Sequence, residues 1–216
     1  MHTLKAVIFD YGKVLSLPPT PEQWQGMSAR FGKTPLELQQ AYHDNRPQMD
    51  RGLEDYVAYW QKVGKDCNRQ INAAEALELS EHDNWQWTNE SPEVVQLARD
   101  LQRAGYKTGI LSNMEKRMLA AMRKKLKWLD EFDVQIYSCE VGMVKPEAEI
   151  YRLACRRLGC EPPEALFLDD KKENTEAAKQ TGMQSLVFNS VVEPVMLTGE
   201  AEITVAGLRE MLLDGR

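Results

Sequence analysis

Long apolar runs are missing from this sequence. Those present, such as Ala6-Val7-Ile8-Phe9, last only a few residues, whereas a membrane-spanning helix needs about 20, so none is expected. Basic character is also scarce. Lysine and arginine number 27 against 33 acidic residues, a net charge of −6, which argues against a nucleic-acid partner because such proteins present basic surfaces. The opening Met1-His2-Thr3-Leu4-Lys5 lacks the charged and then apolar pattern of a secretory leader. Cysteine and histidine are few: Cys67, Cys139, Cys155 and Cys160, with His2, His43 and His82. No Cys-x-x-Cys pair occurs and no histidine sits near a cysteine, which argues against a zinc site. This cysteine usage fits a cytoplasmic protein. Cys155 falls in an amphipathic helical pattern and reads as a small core residue.

What is present is an ordinary globular composition. The 216 residues are 43% hydrophobic and 28% charged, enough for one large domain or one domain carrying an insertion. Residues 4–10 form a nearly continuous β-branched apolar run, which suits a central parallel strand buried on both faces. From residue 16 to 89 the texture changes. Pro18, Pro19 and Pro21 open this stretch. Trp24, Met27 and Phe31 then recur at helical spacing before Gly32, and Leu38, Ala41 and Tyr42 suggest a second helix. Tyr56, Val57, Trp60 and Val63 suggest a third, ended by Gly64, and Asn72 to Glu75 makes a capping box for a fourth. With no strand pattern among them, residues 16–89 read as an all-helical insertion.

After the insertion, strands and helices alternate. Ser91-Pro92 opens a helix with Val94, Val95, Leu97, Ala98 and Leu101 on its apolar face, closed by Gly105. Strands are expected over 107–111, 134–137, 165–168 and 185–188. Helices are expected around Met118, Leu119, Met122 and Leu126, and over 146–158, 174–181 and 205–213. Such alternation predicts an α/β fold, a Rossmann-like three-layer core with a parallel sheet and helices on both faces. The core would comprise residues 1–15 and 90–216, with the helical unit inserted after the first strand.

Ligands of such sheets bind beyond the carboxyl ends of the strands. The residues that finish strands there are Asp10, Ser112-Asn113, the loop leading to Lys145, and Asp169-Asp170. Carboxylates gathered in one place repel and need a cation; a hard divalent ion with oxygen ligands, Mg²⁺ above all, supplies it. A lysine and a hydroxyl beside them suit phosphate oxygens. The set fits phosphoryl transfer to a carboxylate nucleophile.

Four segments in order, Val7-Ile8-Phe9-Asp10-Tyr11-Gly12-Lys13-Val14-Leu15, Ile110-Leu111-Ser112-Asn113, Gly142-Met143-Val144-Lys145-Pro146-Glu147 and Leu166-Phe167-Leu168-Asp169-Asp170, resemble the four motifs of the haloacid dehalogenase (HAD) superfamily. The resemblance covers nearly the whole chain, and the helical stretch falls where members of that superfamily insert a cap. Residues 142–151 and Asp169-Asp170-Lys171-Lys172-Glu173-Asn174 followed by Ala177-Ala178 look like the small sugar-phosphate phosphatases of the α-D-glucose-1-phosphatase type. The phosphatase domains joined to epoxide hydrolases are similar too. The resemblance implies a Mg²⁺-dependent phosphomonoester hydrolase acting on a small phosphorylated metabolite, with a sugar phosphate as a candidate, as a monomer or homodimer. It implies Asp10 as nucleophile, forming an aspartyl-phosphate. Ser112 and the Asn113 backbone would hold phosphoryl oxygens, and Lys145 would neutralise nucleophile and phosphate together. Asp10, the Gly12 carbonyl and Asp170 would bind the metal, with Asp169 as a further ligand or a guide for a bound water.

One departure from the family pattern matters. Most phosphatases of the superfamily carry a general-acid Asp two residues after the nucleophile, where this chain has Gly12, and a positioned acid contributes about 10²–10⁴-fold to rate. The glucose-phosphatase subgroup also has Gly there. Two alternatives therefore stand beside the phosphatase: a HAD-fold binding protein with weak or no catalysis, and a 2-haloacid dehalogenase. The dehalogenases carry Tyr two positions after the nucleophile and lack the acidic pair; here Tyr11 is one position after. Lys13, where a small or amide residue is common, is expected to point to solvent. Arg123-Lys124-Lys125 reads as a solvated helix face, Trp85 and Trp87 as hinge packing, and Met114, Met118 and Met122 as core or rim filler.

Overall fold

An apolar segment with no polar face has to be covered on both sides, and β1 (Ala6–Phe9) is buried at all four positions. The computed structural model describes residues 3–191 and 203–214; residues 1–2, 192–202 and 215–216, His2 among them, lie outside the described residues. Strand β1 pairs in parallel with β2 (Lys107–Ser112) on one side and with β4 (Ala165–Asp169) on the other. Beyond them lie β3 (Val134–Tyr137) and β5 (Gln184–Val187), giving a parallel sheet in the order β3-β2-β1-β4-β5. Alternate residues enter different cores. Val7 and Phe9 join one cluster with Val94, Leu97, Leu101, Met118 and Met122 of α6 (Pro92–Arg103) and α7 (Lys116–Lys125). Ala6 and Ile8 join the other with Ile150, Tyr151, Ala154 and Ala178 of α9 (Ala148–Leu158) and α10 (Lys172–Gln180). The result is the α/β three-layer core with helices on both faces. Successive strands step outward from β1 to β3 and then cross to β4, so the order reverses between β1 and β4. Crevices for ligands open at such reversals.

Between β1 and α6 run five helices: α1 (Pro21–Ala29), α2 (Pro35–Asp44), α3 (Arg46–Asp50), α4 (Tyr56–Asp66) and α5 (Ala73–Trp87). Three begin with full capping boxes, Thr20 with Gln23, Thr34 with Glu37 and Asn72 with Glu75. The helices enclose a cluster of their own that includes Trp24, Met27, Phe31, Leu38, Tyr42, Tyr59, Trp60, Val63 and Leu79. Burying each large side chain of this kind stabilises by roughly 1.5–3 kcal/mol. The two connectors run side by side, with a bridge between Ser16 and Glu90 and bonds from Leu17 N to Asn89 O and from Ser91 N to Leu15 O, both 2.8 Å.

Several boundaries differ from the sequence pattern. Helix α4 does not stop at Gly64; it runs on to Asp66. Gly64 is there because the chain folds back on it: a Cβ would meet Ile71 Cγ1 at 2.5 Å and Arg69 O at 2.7 Å. Ser91 stands at the N-cap of α6, but its side chain makes no capping bond. The last helical stretch is α11 (Val205–Arg209) continued by a wider turn through Asp214. The short helices α3 and α8 (Ser138–Val141) escape the periodicity, since one turn carries too little pattern to read. Among the described residues no helix is long and apolar enough to cross a membrane.

Gly64→Ala is expected to destabilise the protein by about 1–3 kcal/mol, the usual cost of forcing atoms into a packed site. A glycine that merely ended a helix would tolerate alanine far better. Urea unfolding of parent and variant measures the difference, and an unchanged midpoint would contradict the close approach at residue 64.

Candidate active site

Asp10, Ser112, Asn113, Asp169 and Asp170 are delivered by the ends of strands, and Lys145 by the loop that follows α8. The ladder continues one residue past β1, where Asp10 N donates to Leu168 O at 2.8 Å. Asp10 Oδ1 accepts from the Tyr11 backbone N at 2.7 Å and lies 2.9 Å from Lys145 Nζ. On the neighbouring strand, Asp169 Oδ2 lies 2.6 Å from the same Nζ. Asp169 is fully committed: Oδ1 also accepts from Lys171 N at 2.8 Å, and Asn174 Nδ2 reaches both oxygens at 3.0 and 3.1 Å. Ser112, 3% exposed, ends β2. Beside it the Asn113 side chain closes a two-bond clamp on the Lys145 backbone: Nδ2 donates to Lys145 O at 2.9 Å and Oδ1 accepts from Lys145 N at 2.8 Å. The Lys145–Pro146 peptide is cis.

One buried ammonium is thus shared by two buried carboxylates. Desolvation works against the Lys145 charge, but Asp10 and Asp169 outweigh it and hold the ammonium above its ordinary range. Burial pushes the Asp10 carboxyl up to about 6; Lys145 pulls it down, while Asp169 and Asp170 add to the rise. Burial, then Asp169, also raises Asp170. Carboxylate oxygens of Asp10, Asp169 and Asp170 all lie within 4.8 Å of one another. The cluster therefore carries more negative charge than Lys145 balances, and its all-oxygen donor set suits a hard divalent cation.

Position 12 is conformationally ordinary, with φ −63° and ψ 124°, and a Cβ there would lie 3.8 Å from Trp87 Cζ3, a normal contact. The left-handed residue is instead Lys13, at φ 59°. The expectation that Lys13 points to solvent is corrected: its Nζ lies 3.7 Å from Asp170 Oδ2. A small or amide residue suits this position because of the backbone, since a Cβ disfavours positive φ.

These residues open into a cleft of about 510 Å³ whose wall is completed by Tyr42, His43, Arg46 and Trp87 from the helical segment. Tyr42 is marked in the sequence only as an apolar position of a helix, and His43 and Arg46 are not marked as site residues, because nothing in the spacing of an isolated His or Arg tells which way a helix will turn it. Arg46 is held by Asp50 at 2.7 Å and faces Asp83 at 3.7 Å. Burial, helped by Lys171, Arg46 and Lys13, pushes His43 down to about 4, so it is neutral at pH 7. Trp87 packs against both the helical cluster and the sheet cluster, and its carbonyl accepts from Tyr11 OH at 2.8 Å. Trp85, also expected to pack at the hinge, is 57% exposed. Arg51, unnoticed in the sequence, grips Glu147 at 2.6 Å and donates to Gly142 O at 3.2 Å. It ties the helical segment to the loop that carries Lys145.

The family model for haloacid dehalogenase-like hydrolases matches residues 4–182. The chain belongs to that family. This HAD hydrolase is 37% identical over 100 residues to the bifunctional epoxide hydrolase 2 of Rattus norvegicus, covering 44% of this chain and 18% of the relative. It is 31% identical over 120 residues to the pyrophosphatase PpaX of Bacillus velezensis, covering 55% of this chain and 54% of that one. The chain thus spans less than a fifth of the first relative and about half of the second. Among solved structures, the HAD family enzyme bt-2542 of Bacteroides thetaiotaomicron, a magnesium complex, superposes with a TM-score of 0.67 at 18% identity, covering 92% of this chain and 100% of that one. The L-2-haloacid dehalogenase of Xanthobacter autotrophicus superposes at 0.68 with 19% identity, covering 99% and 84%. Likeness at these identities establishes the fold of the HAD hydrolase and nothing finer.

Removing the shared ammonium from the HAD hydrolase would strand two buried carboxylates. Lys145→Met is expected to destabilise the protein by about 3–5 kcal/mol at pH 8. The Asp10 pKa is already above its unfolded value and rises further without Lys145. Stability linked to such a group is present at low pH and lost as pH rises through the folded pKa. The penalty should therefore shrink as pH falls from 8 to 5. Denaturant unfolding across that range checks it, and a penalty independent of pH would contradict the buried triad.

Proposed function

We propose that this chain is a phosphomonoester hydrolase that uses Asp10 as nucleophile and requires Mg²⁺. The observation that carries the reading is the asymmetry of Asp10: its hydrogen bond and its ion pair both fall on Oδ1, which leaves Oδ2 to attack. In this reading Oδ2 bonds to phosphorus as the ester P–O bond breaks, giving an aspartyl-phosphate and the departing alkoxide. The alkoxide takes its proton from solvent, since Gly12 offers none. Water then attacks the phosphoryl group, which releases inorganic phosphate and regenerates the Asp10 carboxylate. Lys145 offsets the charge of Asp10 and then of the phosphoryl oxygens, while Ser112 and the Asn113 backbone hold those oxygens in place. Asp10, the Gly12 carbonyl and Asp170 would hold the magnesium ion, which supplies a counter-charge for the phosphate. Asp169, committed to Lys145, Asn174 and Lys171, acts as the positioner of the lysine rather than as a ligand.

The substrate in this proposal is a small phosphorylated metabolite, with a sugar phosphate as a candidate. We assign residues 1–15 and 90–216 to the catalytic core and 16–89 to a cap that supplies specificity through His43, Arg46 and Trp87. The free cysteines support a reducing, cytoplasmic setting. Dehalogenation is the weaker reading. Tyr11 is buried with its hydroxyl tied to Trp87 O, and the acidic pair beside Lys145 has no task in attack on carbon.

Asp10→Asn is expected to abolish Mg²⁺-dependent hydrolysis of p-nitrophenyl phosphate while the protein still folds. Turnover near the parent rate in folded variant would rule out Asp10 as nucleophile; a parent inactive on every phosphate ester would favour a binding protein. Gly12→Asp is compatible with the observed backbone and restores the missing acid. It should raise kcat/KM for a hexose phosphate more than for p-nitrophenyl phosphate, whose leaving group needs no proton. An equal effect on both would show that proton donation was never limiting.

A further inference from the structure

Lys145 answers two of the three clustered carboxylates, Asp10 and Asp169. Asp170 has a different cation. Lys13 Nζ stands 3.7 Å from Asp170 Oδ2, and the Asp170 side chain is only 12% exposed. The backbone that delivers Lys13 is left-handed, a conformation that disfavours any side chain with a Cβ. The surroundings hold it there: Lys13 N donates to Ser16 Oγ at 3.3 Å, and Lys13 O accepts from Ser190 N at 2.7 Å. The adjacent Gly12 has an ordinary backbone with room for a Cβ, whereas position 13, which favours glycine, carries lysine. Strain of this kind persists at functional sites, where the surrounding structure overrides local preference.

We propose that Lys13 is a built-in counter-cation of the metal site, which competes with Mg²⁺ for Asp170 and has to give way when the ion binds. The inference rests on the reading of Asp10 and Asp170 as metal ligands. With three carboxylates and two ammonium groups the site carries a net charge of −1; a divalent ion would take it to +1. Without the Lys13 charge, the same ion would bring the site from −2 to neutrality. An ammonium about 6 Å from a dication costs roughly tenfold in affinity even at the dielectric constant of water. Lys13 is 42% exposed, so it swings aside and is screened, and a cost of about three- to tenfold follows. Metal loading is thereby tied to the free Mg²⁺ concentration and to ionic strength instead of being saturated at all times.

Calorimetric titration of Mg²⁺, without substrate, into parent, Lys13→Gln and Lys13→Arg tests this. Lys13→Gln is expected to bind Mg²⁺ about three- to tenfold more tightly than the parent. Lys13→Arg should resemble the parent, and the advantage of glutamine should fade as salt is raised. Lys13→Gly removes the charge and relieves the left-handed backbone; it should tighten binding and also raise the metal-free melting temperature, which guards against a folding defect in Lys13→Gln. Equal affinity in parent, Lys13→Gln and Lys13→Gly would overturn the counter-cation role and leave Asp170 standing as a ligand. Absence of binding in all of them would overturn both.

Discussion

The ammonium of Lys145, placed between Asp10 and Asp169 with 2% of its side chain exposed, is the constraint around which the rest of the site is arranged. Two carboxylates at the ends of adjacent parallel strands would drive those strands apart or take up protons. A lysine brought between them from a distant loop removes that conflict. The lysine in turn has to be aimed, and three devices do so: the Asn113 clamp on its backbone, the Asn174 bonds that fix Asp169, and the grip of Arg51 on Glu147. Breaking a buried pair of this kind costs far more than forming it gains, so the triad fixes the relative positions of β1, β4 and the loop before Lys145.

Two hydrophobic bodies meet over this triad. The sheet and the five-helix segment have separate clusters, and Trp87 touches both. Its indole lies beside Gly12, and the helical segment also brings Arg46 and His43 to the cleft. The floor of the cleft thus belongs to the HAD hydrolase core and is rich in charge; its wall belongs to the helices and mixes an aromatic face with cationic and neutral nitrogen groups. In the proposed phosphatase, the floor would carry the chemistry and the wall would set which molecule fits. The loop from Tyr11 to Ser16 links the two, and there a strained lysine stands beside an unstrained glycine.

Much of the fold was legible from the chain. The continuous apolar run of β1 marked a central strand because only a residue run covered on both faces has no polar alternation. Strand β3 matched its sequence bounds, and α6 was legible from Pro92 at its start and Gly105 at its end. Where reading failed, the cause was tertiary. Gly64 looked like a helix terminator but is a point of close approach to Ile71, which no local pattern records. Helices α3 and α8 are too short to show a period. The caps Thr20 and Thr34 were passed over, although each is followed by proline and by Gln or Glu three residues on.

The sequence by itself determined the alternation of strands and helices, and it placed Asp10, Ser112 and Asp169-Asp170 where strands end and Lys145 in a loop, because periodicity and strand termini are local properties. Tertiary structure alone decided that one ammonium serves two carboxylates, that Asp169 is engaged while Asp170 faces Lys13, that Arg46, His43 and Trp87 reach the cleft, and that Arg51 ties the helical segment to Glu147. Those are relations between residues far apart in the chain, created only when strand order reverses between β1 and β4 and the helical segment folds back over them. Backbone handedness at Gly12 and Lys13 belongs to the same class: it is set by Ser16, Ser190 and the sheet, not by the preferences of the two residues themselves.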